Sequence, residues 1–210
     1  MPRPAPDCRD PVDFYIDHAA QFDAVRSRTL CERSWLEALL ADVPAGGAIL
    51  DAGCGSGEPM AAYLLARGFT VTGVDAAPPL LELARQRYPQ ARWIKADLRS
   101  LDLGERFDAI LAWDSLFHLS AQAQRIALAT FRAHAAPGAA LLFNSGGAHG
   151  ESANPMFGEP LYHASLSPEE YRALLTAQGF HVVRHVAQDR TCGGRAVWLA
   201  RREYEEELDD

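Results

Sequence analysis

Residues 50–57 read LDAGCGSG, and this stretch limits the possible folds more than any other part of the chain. It follows the short apolar run AILDA (48–52) and precedes EPMAAYLLARG (58–68), a helical pattern closed by Gly68. A glycine-rich turn between a buried strand and a helix lets the main chain bend tightly and lets a ligand approach bare backbone. The helix start beyond it offers N–H groups that have no partner inside the helix. Such turns also occur for purely structural reasons and with several nucleotides, so the turn alone leaves the ligand open.

The rest of the chain repeats the alternation. TVTGVD (70–75) is a β-branched strand, and PPLLELARQRY (78–88) a helix with Leu80, Leu81, Ala84 and Tyr88 on one side. RWIKAD (92–97) and FDAILAWD (107–114) are the third and fourth strands; AQAQRIALATFRAHA (121–135) is a helix stopped by Pro137-Gly138, and AALLFNS (139–145) is the fifth strand. Ser167-Pro168-Glu169-Glu170 supplies a cap, a first-turn proline and a capping glutamate for a helix that ends at Gly179. FHVVRHV (180–186) and RAVWLAR (195–201) close the series, with a connection around Gly193-Gly194 too short for a crossover. The pattern predicts a three-layer, doubly wound α/β fold: a seven-stranded, mostly parallel sheet with an antiparallel last strand.

Ahead of the sheet, residues 10–27 read as an interrupted helix and 28–43 as an amphipathic one carrying Trp35, Leu36, Leu39, Leu40 and Val43. The expected organisation is a helical extension over 1–44 serving as a lid, a ligand-binding domain over 45–202 and an acidic tail over 203–210. Residues 146–167 (GGAHGESANPMFGEPLYHASLS) show no convincing helix or strand pattern and are expected to form a long functional loop.

Acidic residues fall where the strands end. Asp75 lies 22 positions after Gly53, where a carboxylate can accept both hydroxyls of a ribose, and Asp97 lies 22 further on. With Asp51, they line one carboxyl edge of the predicted sheet beside its switch point.

DAGCGSG (51–57), TGVD (72–75), KADL (95–98), AWDSLFHL (112–119) and the Pro137-Gly138 turn together resemble the class I S-adenosylmethionine-dependent methyltransferase family, over about residues 47–201. The resemblance implies S-adenosylmethionine as cofactor, bound by Asp51, Gly53, Gly55, Asp75, Ala76, Asp97, Leu98, Ala112 and Trp113. In that scheme Gly53 and Gly55 lie against the methionine part. Asp75 takes the ribose hydroxyls, Asp97 the adenine amino group with the Leu98 backbone nearby, and a carbonyl of Ala112 or Trp113 the cofactor's amino group. Arg26 or Arg28 would pair with its carboxylate.

Two other readings stand beside this one. Dinucleotide-binding turns place the third glycine five positions after the first, whereas here Gly57 follows Gly53 by four and Glu58 comes next. A glutamate there repels a pyrophosphate, which argues against an NAD(P)-dependent oxidoreductase. A domain that holds the cofactor without catalysis is the other alternative, since binding residues alone do not establish turnover.

Methyl transfer needs alignment and exclusion of water, plus a base where the acceptor carries a proton. Asp114 and His118, after the fourth strand, are the candidate catalytic groups; packing or capping roles are the alternatives for both. Tyr15, His149, Tyr162 and His163 are the candidate acceptor contacts.

The four cysteines are scattered, with no CxxC pair and no metal-ligand spacing, so neither a disulfide framework nor a metal site is indicated. The formal charge is −8, but residues 203–210 carry six carboxylates, which leaves −2 for the remainder. A body so nearly neutral lacks the basic footprint of a nucleic-acid binder, and a small-molecule acceptor is expected. No apolar run reaches the roughly 18 residues of a membrane span, and the proline-rich start does not read as a signal peptide. The expected location is cytoplasmic.

Overall fold

A computed structural model describes residues 8–146 and 149–204. The strands are β1 (Ala48–Ala52), β2 (Thr70–Asp75), β3 (Arg92–Lys95), β4 (Phe107–Ala112), β5 (Ala135–Ser145), β6 (Gly150–Met156), β7 (Glu159–Ser165), β8 (Phe180–Asp189) and β9 (Arg195–Arg202). Seven of them form one sheet in the order β3-β2-β1-β4-β5-β9-β8. Only β9 runs against the rest, pairing antiparallel with both β5 and β8. Strand order reverses at β1, which pairs in parallel with β2 on one side and β4 on the other. A reversal of this kind opens a crevice at the carboxyl ends of the strands.

Alternation along each strand builds two cores. Leu50, Ile110, Leu141 and Trp198 face one layer, packed by Leu128 and Phe131 of α6 (Ala121–His134) and by Tyr171 and Leu175 of α7 (Pro168–Ala177). Their neighbours Ile49, Leu111, Leu142 and Leu199 face the other layer, with Trp35 and Leu39 of α3 (Arg33–Leu40), Leu64 of α4 (Met60–Ala66) and Leu81 of α5 (Pro78–Arg87). Strands buried on both faces read as continuous apolar runs, as AILDA and FDAILA do. Helix starts follow the sequence: the Ser120 hydroxyl accepts from Ala123 N and that of Ser167 from Glu170 N.

The extension before α3 forms α1 (Pro11–Asp17) and α2 (Ala19–Val25), broken at His18 as the interrupted pattern suggested. Asp10 caps α1 by accepting from Val12 N and Asp13 N. Several boundaries differ from the sequence reading: β3 and β4 end two residues earlier, at Lys95 and Ala112, and β8 runs on to Asp189. α3 begins only at Arg33, and α6 runs straight into β5 at Ala135, because Pro137-Gly138 is taken up inside the strand.

The larger correction concerns the segment expected as a long loop, of which residues 150–165 form a β-hairpin. β6 and β7 pair antiparallel from Gly150↔Ser165 to Met156↔Glu159, around Phe157 and Gly158 at φ 52° and 85°. Positive φ at both turn residues matches the twist that a tight hairpin needs. The strand escaped notice because β6 is almost wholly exposed, so it carries no apolar alternation. The N-terminal segment leans on this hairpin, with Arg9 N donating to Pro160 O at 2.9 Å. Residues 205–210, most of the expected acidic tail, lie outside the described residues. Among the described residues no helix is long and apolar enough to cross a membrane.

Candidate active site

The glycine turn after β1 is tied to the end of β2. Gly53 N and Cys54 N both donate to Val74 O, at 2.8 and 3.0 Å. The Asp75 carboxylate accepts from Gly55 N at 2.9 Å and from Ala77 N at 2.8 Å. Gly53 has φ 85°, and a Cβ there would lie 2.2 Å from Ser115 Cβ. Only glycine satisfies both the backbone angle and that close approach. Burial raises the Asp75 pKa, and the amide hydrogen bonds act against that rise.

A cavity opens above this turn. Gly53, Gly55, Asp75, Ala76, Asp97, Leu98 and Trp113 line its floor, and Val12, Tyr15, Phe22 and Arg26 from α1, α2 and the residue after them cover it. Asp97, two residues past the end of β3, is held by Arg99, whose Nε donates at 2.8 Å, and its pKa is lowered by that contact. Asp51 and Ala112, also expected at the cofactor, sit behind the lining in the buried strands. Asp51 Oδ2 has no hydrogen-bond partner, and burial, followed by the charge of Asp75, pushes its pKa up to about 7.

A second cavity adjoins the first and shares Tyr15, Phe22, Arg26, Asp114 and His118 with it. His149 and, from the hairpin that follows it, Glu151, Asn154, Met156 and His163 also line it. Of the expected acceptor contacts, Tyr15, His149 and His163 therefore line this space. Tyr162 does not: it alternates to the other face of β7, is 6% exposed and lines neither cavity.

His118 stands at the junction. Its Nδ1 lies 3.2 Å from Tyr162 O and its Nε2 3.1 Å from the Tyr15 hydroxyl. A carbonyl can only accept, so Nδ1 carries the proton and Nε2 accepts from Tyr15. Burial, helped by His163 4.8 Å away ring to ring, depresses the His118 pKa to about 4. Burial also raises the Tyr15 hydroxyl well above its usual value.

Asp114, a candidate catalytic group, has both of its carboxylate oxygens engaged. Arg195 Nε and Nη2 donate to its two oxygens at 2.7 and 2.9 Å, Arg26 Nη1 at 3.0 Å and Asn144 Nδ2 at 2.8 Å. Burial pushes its pKa up, but Arg195 and Arg26 outweigh that and hold it below the usual carboxylate range. It caps no helix either, since Ser115 precedes the 3-10 turn at Leu116–His118. Asp114 organises the junction between the cavities. Arg28 points away, toward Asp23 and Glu58, which leaves Arg26 as the guanidinium at both cavities.

Two participants were missed in the sequence. Asn144 sits at the carboxyl end of β5, a placement that the strand-end rule could have flagged. Arg195 sits at the start of β9, and only the reversed direction of that strand brings its start to the functional edge.

A reversal-point crevice, a glycine turn whose bare backbone lines it and a carboxylate at the β2 tip define an α/β domain built to hold a nucleoside-like ligand. The cradle fits S-adenosylmethionine on this chain's own features: the open space over Gly55, where a Cβ would meet nothing nearer than Leu80 Cδ1 at 4.0 Å, the Asp75 carboxylate, and Trp113, which lines the cavity and whose buried Nε1 has no partner. Residues 49–138 match the family model described as a methyltransferase domain. The dTDP-3-amino-3,6-dideoxy-alpha-D-glucopyranose N,N-dimethyltransferase of Streptomyces fradiae is 38% identical over 97 residues, 45% of this chain and 37% of that protein. The trans-aconitate 2-methyltransferase of Enterobacter sp. (strain 638) is 43% identical over 72 residues, 32% and 27% of the two chains. The matches thus span under half the length of these curated relatives.

Among solved structures, the amino pentose methyltransferase CalS10 of Micromonospora echinaspora, bound to S-adenosylmethionine, has a TM-score of 0.70 at 24% identity, covering 89% of this chain and 96% of that one. The 1,6-didemethyltoxoflavin-N1-methyltransferase of Burkholderia thailandensis has a TM-score of 0.74 at 22% identity, covering 97% and 94%. These two share the fold. Over residues 49–138 this chain is similar to the methyltransferase domain family, and its fold is that of the class I S-adenosylmethionine-dependent methyltransferases.

Proposed function

We propose that the chain transfers a methyl group from S-adenosylmethionine to a small polar acceptor held in the second cavity. The supporting observation is the junction itself: Tyr15 and His118 line both cavities, at the boundary between a nucleoside cradle and a space walled by the β6–β7 hairpin. Several curated relatives are named as amino-sugar N,N-dimethyltransferases, in keeping with an acceptor that bears a nitrogen or oxygen nucleophile.

Asp75 would hold the ribose hydroxyls, Asp97 and Leu98 the adenine side, and Gly53, Gly55 and Trp113 the methionine side. When bound, S-adenosylmethionine supplies a methyl group already activated on a sulfonium. The chain's own work is then alignment and dryness. Tyr15 and Phe22 roof the junction and exclude water. The Tyr15 hydroxyl donates to the unprotonated His118 Nε2, which leaves its oxygen free to accept a hydrogen bond from the acceptor and so orient the nucleophile toward the methyl group. The Asp114 ion pairs fix Arg26 and Arg195 against the acceptor space.

Methyl transfer from labelled S-adenosylmethionine to a panel of small amines and alcohols tests this reading. The wild type should label at least one class. Tyr15→Phe should lose on the order of a hundredfold in turnover and keep cofactor affinity. Since His118 is already neutral above about 4, the rate should show no inflection near its ordinary value of 6.5. Saturable cofactor binding without labelling of any acceptor would leave the non-catalytic reading in its place.

A further inference from the structure

Away from both cavities, Cys31, Glu32 and Cys192 form a compact group whose ligand atoms lie within 4.8 Å of one another. Cys31 and Glu32 belong to the segment that leads into α3, and Cys192 to the connection between β8 and β9. The cysteines are 161 residues apart, so no sequence spacing announces the pair.

Their geometry is close to that of metal ligands. The two Sγ atoms are 4.0 Å apart, against about 3.8 Å for two thiolates on a tetrahedral zinc with Zn–S bonds of roughly 2.3 Å. Glu32 is the second observation. Its residue is 5% exposed, its Oε2 has no hydrogen-bond partner, and although it occupies the cap position of α3 its side chain caps nothing. A carboxylate oxygen buried in that way is costly unless something positive meets it. The neighbouring acid does not compete: Asp189 accepts from Trp35 Nε1 at 2.7 Å and from Thr191 N at 2.9 Å. Cys31 is exposed, which gives water access for a fourth ligand. Two thiolates, one carboxylate and a divalent ion sum to −1, and Arg195, whose Nη1 donates to Cys192 O at 3.0 Å, stands beside the group.

We propose that Cys31, Glu32 and Cys192 bind a borderline-soft divalent cation of the zinc type. Soft thiolates select such an ion over magnesium or calcium. The bound ion would clamp the segment before α3 to the β8–β9 connection. Gly193, Gly194 and Arg195 follow Cys192 directly and line the acceptor-side cavity, so the clamp would fix that wall. The proposal does not depend on methyl transfer.

Titrating the chelator-stripped, reduced full chain with Co(II) is the test, followed by displacement with Zn(II). The expected result is saturation at one ion per chain with a thiolate-to-cobalt charge-transfer band that zinc removes. Cys31→Ser, at an exposed position, should abolish the band while the thermal unfolding of the metal-free protein stays as in wild type. Cys192→Ser should also abolish it, and Cys8→Ser should leave it unchanged. Glu32→Gln should weaken zinc binding at least about tenfold, measured by competition with a chromophoric chelator. Three results would overturn the proposal: no band at saturating cobalt, a band that persists in Cys31→Ser, or a reduced protein that only re-forms a Cys31–Cys192 disulfide in air and takes up no ion.

Discussion

Replacing Asp51 with Asn probes the electrostatics beneath the glycine turn. Asp51 lies in β1, behind the cofactor-side cavity, and burial together with Asp75 brings its pKa from 3.8 to about 7. In that window the folded protein holds a proton that the unfolded chain has released. The stability contributed by this group therefore falls as pH rises, by about 1.4 kcal/mol per unit and about 4 kcal/mol across the whole shift. His118 acts with the opposite sign. Its folded pKa of about 4 lies below 6.5, so the unfolded chain holds the extra proton and stability rises with pH between those values. The two slopes nearly cancel in the wild type below 6.5, and only the comparison with Asp51→Asn separates them. Urea unfolding of the ligand-free proteins between about pH 4 and about pH 8 measures the difference. The variant's stability relative to wild type should climb by a few kcal/mol over that range, whatever its absolute offset, and level off above pH 7. Parallel curves for the two proteins would refute the assignment of a proton to buried Asp51.

Other consequences follow from the same geometry. Gly53→Ala puts a Cβ 2.2 Å from Ser115 Cβ at φ 85°, so it should cost at least about 2 kcal/mol in denaturant unfolding and remove S-adenosylhomocysteine binding; unchanged binding would contradict the cradle. Asp23 on α2 accepts from Ser56 Oγ and from both Arg87 terminal nitrogens, which latches the roof to the turn and to α5. With Arg87 and Arg28 part-exposed, Asp23→Ala should cost only about 1 kcal/mol but speed amide exchange in α1 and α2 and hasten ligand release. Exchange rates equal to wild type would mean that the roof is held elsewhere.

The parts of the fold that the sequence revealed are those in which local chemistry and burial agree. AILDA, TVTGVD and FDAILA are buried on both faces, and Ser120 and Ser167 cap the helices that they precede. The lining of the first cavity was legible for the same reason, since Gly53 and Asp75 sit where the local chain places them, at a turn and at a strand tip. The acceptor half was not. β6 is exposed and has no apolar period, and Tyr162 turns away from the cavity because side chains alternate across β7. Asp114 carries the residue type of a base, but its partners Arg26, Asn144 and Arg195 come from 30 to 88 positions away. Residue type announces a charge; only the fold says what neutralises it.

Calorimetric titration of the ligand-free protein with S-adenosylhomocysteine bears most directly on the nucleoside cradle. One molecule should bind per chain with saturable heat, and, on the role proposed for Asp75 at the ribose, Asp75→Ala should weaken it on the order of a hundredfold. Absence of saturable heat in the wild type, or equal affinity in Asp75→Ala, would contradict the account.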